Sequence, residues 1–180
     1  MHDVLSHISR PNTKFPRKYC HGINPSNWDD LSPLFQELQE GEILNLSDLK
    51  QWIDARSELE AIIAEEGARL YINMTCYTDD ADNAQLYTDF IQNIEPRVSP
   101  KIDLLNQKIL TNPLTGQLDE KYGQWIKTLK AEVELFHEEN VTIDSKISLQ
   151  LQEYQQITGS MSCYFEGEIQ NMSQMAVHLE

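Results

Sequence analysis

Ser47-Asp48-Leu49-Lys50-Gln51-Trp52-Ile53-Asp54-Ala55-Arg56-Ser57-Glu58-Leu59-Glu60-Ala61-Ile62-Ile63 opens a stretch that runs to Thr78 and decides the fold. Its apolar residues are Leu49, Trp52, Ile53, Leu59, Ile62, Ile63, Leu70, Met74 and Tyr77. Their spacing is helical and keeps one stripe in phase, which is the mark of one long amphipathic helix. Ser47 can cap it, because a short side-chain oxygen satisfies a free first-turn N–H. At 1.5 Å per residue the helix spans roughly 45 Å. Gly67 sits in its middle and costs about 1 kcal/mol against alanine, a cost that close packing of another helix would explain.

Working outward, Trp28 to Gln39 reads as a shorter helix with Pro33 in its first turn and Gly41 as its stop. Residues 1–26 hold Pro11, Pro16, Pro25 and Gly22 without an apolar period, so they read as an extended N-terminal arm before a helical segment at 27–180. Downstream, Asp79-Asp80-Ala81-Asp82-Asn83 reads as acidic helix caps. A calcium loop counted from Asp80 would need glycine at Gln85 and glutamate at Ile91. Leu86, Tyr87, Phe90, Ile91, Ile94, Val98, Ile102, Leu105 and Ile109 carry a second helical period through Pro96 and Pro100. Proline breaks or kinks a helix, so a kinked helix or two nearly collinear ones are predicted. Asn112 to Gly116 is a turn. Glu120 to Glu139 reads as a helix burying Tyr122, Trp125, Ile126, Leu129, Val133 and Phe136. Thr142 or Asp144 can cap a further helix through Ile147, Leu151 and Tyr154. Gly159 to Phe165 and Glu168 to Asn171 alternate around Glu166-Gly167, a hairpin signal, and a short helix starts at Ser173. The predicted fold is mainly α: long antiparallel helices with one small β-hairpin near the C-terminus.

The 180 residues are 40% apolar and carry a net charge of −15. That is enough apolar content for one core. The acidic surface repels phosphate backbones, which argues against nucleic-acid partners. No run approaches the roughly 18 apolar residues of a membrane span, and the polar residues after Met1 hold no signal core. Cys20, Cys76 and Cys163 are odd in number and far apart, so free thiols and a cytoplasmic setting are expected. The sequons at Asn45, Asn73, Asn140 and Asn171 then read as chance matches.

A zinc peptidase motif His-Glu-x-x-His is missing. Its nearest approach is His137-Glu138, with Val141 where the second histidine should fall. Two imidazoles one turn apart and the intervening glutamate are what such a site requires, so no catalytic and no metal-binding residue is expected here. Paired Glu-x-x-His units of the di-iron type are also absent, which leaves little for a bundle that binds a metal or small ligand through scattered carboxylates.

Several stretches nonetheless carry a family likeness. Phe15-Pro16-Arg17-Lys18, Trp28-Asp29-Asp30-Leu31, Ser57-Glu58-Leu59-Glu60-Ala61 and Tyr71 to Asp80 resemble the entry and long early helix of the oligoendopeptidase F family, relatives of thimet oligopeptidase and neurolysin. Leu105 to Leu110, Leu135 to Val141 and the hairpin from Gly159 to Gln170 follow in the same order. The resemblance is to that family's N-terminal region. It implies a non-catalytic helical segment that forms one wall of a peptide-substrate channel once joined to a zinc-bearing catalytic part. Zinc belongs to the intact family and not to these residues. The other reading is a stand-alone helical interaction or oligomerisation protein built on the peptidase scaffold. Either way the chain is expected to have a partner: a second copy, or a complementary C-terminal catalytic segment. Where the rest of that domain is absent, apolar surface at Trp125, Phe136, Tyr154 or Tyr164 is expected to remain exposed, which is the reason a partner is expected.

Overall fold

Helix starts follow from short polar side chains that accept first-turn N–H groups. The computed structural model describes residues 17–77 and 80–178. Residues 1–16 of the expected arm, Thr78, Asp79 and Leu179-Glu180 lie outside the described residues. Helix α1 spans Trp28–Glu40, capped by Asn27 and stopped at Gly41. Pro33 lies inside it, past the first turn where the sequence placed it. Pro33 and Asp29 are both exposed, so the carbonyl that Pro33 cannot serve faces water.

Helix α2 runs unbroken over Leu46–Cys76. Its cap is Asn45 and not Ser47: the Asn45 side chain accepts from Ser47 N at 2.9 Å and Asp48 N at 3.0 Å. Leu49 N–H already bonds to the Asn45 carbonyl, so the helical ladder begins before Ser47 can serve as a cap. The predicted stripe is buried from Leu49 to Met74, with Tyr77 half-buried at the end. Leu31, Phe35 and Leu38 of α1 join it in one core.

Helix α3, Ala81–Asn93, starts at Asp80, whose carboxylate accepts from Asp82 N and Asn83 N. Helix α4, Glu95–Thr111, follows after Ile94 alone. The structure divides this stretch into two helices. Pro96 occupies the first turn of α4 and Pro100 its interior. Ile94 N–H still bonds to Phe90 O, and Val98 N–H to Ile94 O, so the break is confined to one residue and the apolar phase survives. Phe90, Ile94, Leu105 and Ile109 are all buried in the core. At Gly67 a Cβ would lie 3.1 Å from Phe90 Cε1. The mid-helix glycine is therefore where α3 comes down on α2.

The expected helix from Glu120 to Glu139 is cut. A 3-10 turn at Glu120–Tyr122 leads into α5, Gly123–Leu135, and α6 covers Glu138–Ser160. Phe136 is extended between them. The reason is electrostatic. Glu138 and Glu139 fill the first turn of α6, where the helix dipole favours carboxylates; at the end of a longer α5 it would oppose them. Accordingly α6 begins before Thr142 or Asp144. Leu129 is fully buried, whereas Tyr122, Trp125, Ile126, Val133 and Phe136 are only half-buried.

The orientation of α6 also differs from expectation. Ile147, Leu151 and Tyr154 remain 56%, 51% and 62% exposed. Gln152 is its one buried residue. Its amide donates to Ala84 O at 3.1 Å and Thr88 Oγ1 at 3.0 Å, so α6 holds to α3 through polar groups and presents its apolar stripe outward.

Strands β1, Ser162–Phe165, and β2, Glu168–Asn171, pair antiparallel with Phe165 opposite Glu168. Gly159 and Ser160 still belong to α6, so β1 starts later than the alternation suggested. Positive φ at Glu166 (53°) and Gly167 (92°) gives the primed turn that fits strand twist. Helix α7, Met172–Ala176, is capped by Asn171, and Gln174 bonds back to it. Two of the sequon asparagines, Asn45 and Asn171, are thus helix caps.

Two side chains tie the framework together. Lys108 of α4 donates to the carbonyls of Leu38, Gln39 and Gly41 at 2.8, 2.9 and 2.6 Å. It closes the C-terminus of α1, where a cation also suits the dipole. Glu58 of α2 accepts the N–H groups of Lys18, Tyr19 and Cys20 at 2.9, 3.0 and 2.8 Å and seats that segment against the core. Cys20, Cys76 and Cys163 are free thiols; burial pushes the Cys20 thiol up to about 11.

Gly67→Val should destabilise the fold by about 1–3 kcal/mol, because overpacking against Phe90 outweighs the gain in helix propensity. Lys108→Met should cost about 2 kcal/mol, the loss of charge-assisted bonds to three carbonyls. Urea unfolding of each variant beside the parent measures both.

Candidate functional site

Four helices enclose a cleft of about 580 Å³. Helix α2 supplies Glu60, Ile63, Gly67 and Tyr71; α3 supplies Tyr87 and Phe90; α4 supplies Glu95, Val98 and Ile102; α6 supplies Val141, Asp144 and Ser145. The cleft exists because Gly67, Ala64 and Ala68 keep one wall low and because α6 is held off by polar side chains. At its rim, Tyr71 and Tyr87 meet edge to face with centroids 5.7 Å apart. Gln155 Nε2 donates to the Tyr71 hydroxyl at 2.9 Å, so α6 also fixes that ring.

Beside the cleft lies a buried ionic cluster. Arg56 is 2% exposed. Its Nη2 donates to Asn106 Oδ1 at 2.5 Å and lies 2.6 Å from Glu60 Oε1. Its guanidinium lies 5.2 Å from the Trp125 ring centroid, and Asn106 Nδ2 donates to Glu132 Oε2 at 3.1 Å. Burial lowers the pKa of Arg56, against the raising fields of Glu60 and Glu132. Burial raises that of Glu60, with Glu132 adding and Arg56 opposing. Both partners move toward their neutral forms, so desolvation outweighs their attraction. The cluster locks α2 to α4 and α5 rather than adding much stability.

Glu95 differs from Glu60. Glu95 is an exposed residue that lines the cleft, yet the surrounding protein displaces enough water from its carboxyl to hold it above its ordinary value. Among the described residues, neither Glu95 nor Asp144 has an ion-pair partner.

The zinc-motif remnant does not assemble a site. His137 is the residue before α6 and is exposed, Glu138 is the first residue of that helix, and Val141 offers no ligand atom. Among the described residues, no three histidine, cysteine or carboxylate groups are placed to hold a metal ion. The described residues therefore do not fit the zinc of the resembling peptidases. The sequence offered no motif for the cleft, since its residues come from four separate helices.

Fold and cleft together define a mainly helical domain with a short hairpin near its C-terminus. The family described as the Peptidase M3 N-terminal domain matches residues 24–136, and the chain belongs to it. No curated protein and no solved structure matches the chain. The matched span closes at the end of α5, so α6, the hairpin and α7 lie beyond it. Among the described residues no helix is long and apolar enough to cross a membrane.

Burial raises the Glu95 carboxyl above 4.5, so the folded chain binds that proton more tightly than the unfolded one. The resulting stability is complete below 4.5 and is lost as pH rises through the folded value. Glutamine imitates the protonated form. Glu95→Gln should therefore be more stable than the parent at pH 7, and the difference should close below pH 4.5. Urea midpoints measured across that range test the sign.

Proposed function

We propose that the chain is the non-catalytic N-terminal helical part of an oligoendopeptidase-like M3 zinc peptidase, lending one wall to a peptide-substrate channel when joined to a catalytic part. The observation that carries this reading is the family match over residues 24–136. The missing His-Glu-x-x-His motif supports a division of labour, in which the zinc and its activated water come with the catalytic part. Exposed thiols at Cys76 and Cys163 suit a reducing, cytoplasmic setting. The acidic surface suits peptides and disfavours nucleic acid.

The outward stripe of α6, with exposed Met161, Tyr164, Ile169 and Met172 after it in the chain, suits a partner surface. A catalytic segment docked there would bury roughly 1,200 Å² or more in total. The same stripe favours a second reading, a stand-alone protein that self-associates through this face. Trp125 and Phe136 contribute less to it than Tyr154 and Tyr164, being half-buried.

The chain alone should show no chelator-sensitive cleavage of a quenched fluorescent peptide in the presence of zinc. Cleavage should appear when the coding sequence following Glu180 is included and supplies His-Glu-x-x-His in frame. Zinc-dependent cleavage by the isolated chain would overturn the division of labour. A downstream sequence with no such motif, together with a dimer in sedimentation equilibrium at physiological salt, would favour the stand-alone protein.

A further inference from the structure

The cleft over Gly67 has the size and lining of a ligand site. Its volume of about 580 Å³ falls in the range of small-molecule and side-chain pockets. Its charge is one-sided: three carboxylates line it and no lysine, arginine or histidine does. Glu60 already has Arg56 as its counter-ion. Glu95 and Asp144 have none among the described residues, and they reach the same space from two different helices. Between them lies an apolar floor that includes Phe90, Ile102 and Val141. The Tyr71–Tyr87 pair stands at the side.

Each alternative ligand class fails on one of these features. An anion is repelled by Glu95 and Asp144. A wholly apolar ligand would strip water from those carboxylates and return nothing. A bare metal ion needs donors set close together, and no such group of three occurs among the described residues. A cation on an apolar stem meets every requirement: its charge goes to the carboxylates, its stem lies on the floor, and tyrosine faces attract it further.

We propose that this cleft binds a lysine- or arginine-type cation on an apolar stem, presented by a short peptide. The site belongs to this chain's own helices, and it stands whether or not a catalytic part joins them. Burial already holds the Glu95 carboxyl above its ordinary value, and a bound cation would relieve that penalty.

The test is calorimetric titration of the 180-residue chain with acetyl-Leu-Lys-Leu-amide and, separately, with its glutamate counterpart. Backbone NMR spectra are recorded along each titration. Saturable binding of the lysine peptide is expected, with the largest shifts at Gly67, Tyr87 and Ser99. The glutamate peptide should not bind. Combined Glu95→Gln and Asp144→Asn should weaken binding about tenfold, the scale of one lost charge-assisted hydrogen bond. Combined Glu138→Gln and Glu139→Gln, which removes equal charge outside the cleft, should leave it unchanged. No saturable binding of the lysine peptide would overturn the proposal. So would equal binding of both peptides, or an equal loss in the two double variants, since that would assign the attraction to the overall charge of −15.

Discussion

The close seat of the Phe90 ring on Gly67 governs the rest of the structure. A 31-residue helix such as α2 cannot be stable in water on propensity alone and needs its apolar stripe covered. Helix α1 covers one part of it. The remainder depends on α3 arriving at the only place on α2 where the backbone is bare enough for an aromatic ring. Once Phe90 is seated, Ile94 is buried just beyond it, and the proline at Pro96 makes the single-residue break that sends α4 onward. The Arg56–Asn106 bond then fixes α4 against α2, and Lys108 closes α1 onto the same pair. The cleft is a by-product of this arrangement: the small residues that admit Phe90 also leave space beside it.

Polar and apolar roles are divided unusually between the two halves of the chain. From α1 to α5 the helices meet through buried aliphatic and aromatic groups, and polar residues such as Arg56 and Asn106 fasten them. At α6 the roles reverse. Gln152 and Gln155 make directional inward contacts, and Ile143, Ile147, Leu151 and Ile157 look out. An amide that donates to a carbonyl and a hydroxyl contributes about 1 kcal/mol per bond. By comparison, about 2 kcal/mol comes from each fully buried Leu or Ile. The attachment of α6 is therefore weak relative to the core, while its orientation is well defined by directional bonds. This change of character occurs where the family match ends.

Much of the fold was legible because periodicity reports which residues share a helix face. The long α2 stripe, the break near Pro96, the cap at Asp80 and the Glu166-Gly167 turn all follow from local chemistry. Capping was legible only to within two residues: Asn45 and Ser47 are both short and polar, and the choice rests on where the first hydrogen bond forms. The break at Phe136 was hidden because the apolar phase runs through it, although the Glu138-Glu139 pair is a dipole signal for a new helix start. The facing of α6 was not legible at all. A period identifies a stripe and says nothing about whether it points at the core or at water. The cleft was illegible for a related reason: Glu95, Asp144 and Tyr87 share no motif and are brought together only by tertiary packing.

The double use of Asn45 bears on how this protein can be produced. Its side-chain oxygen holds the first turn of α2, and its amide nitrogen donates to Asp48 Oδ2 at 2.9 Å. That nitrogen is also the atom to which a secretory host attaches sugar at an Asn-Leu-Ser sequon. Export through such a host would set glycosylation in competition with the start of the helix against which α1 and α3 pack. Production inside the cell avoids that competition.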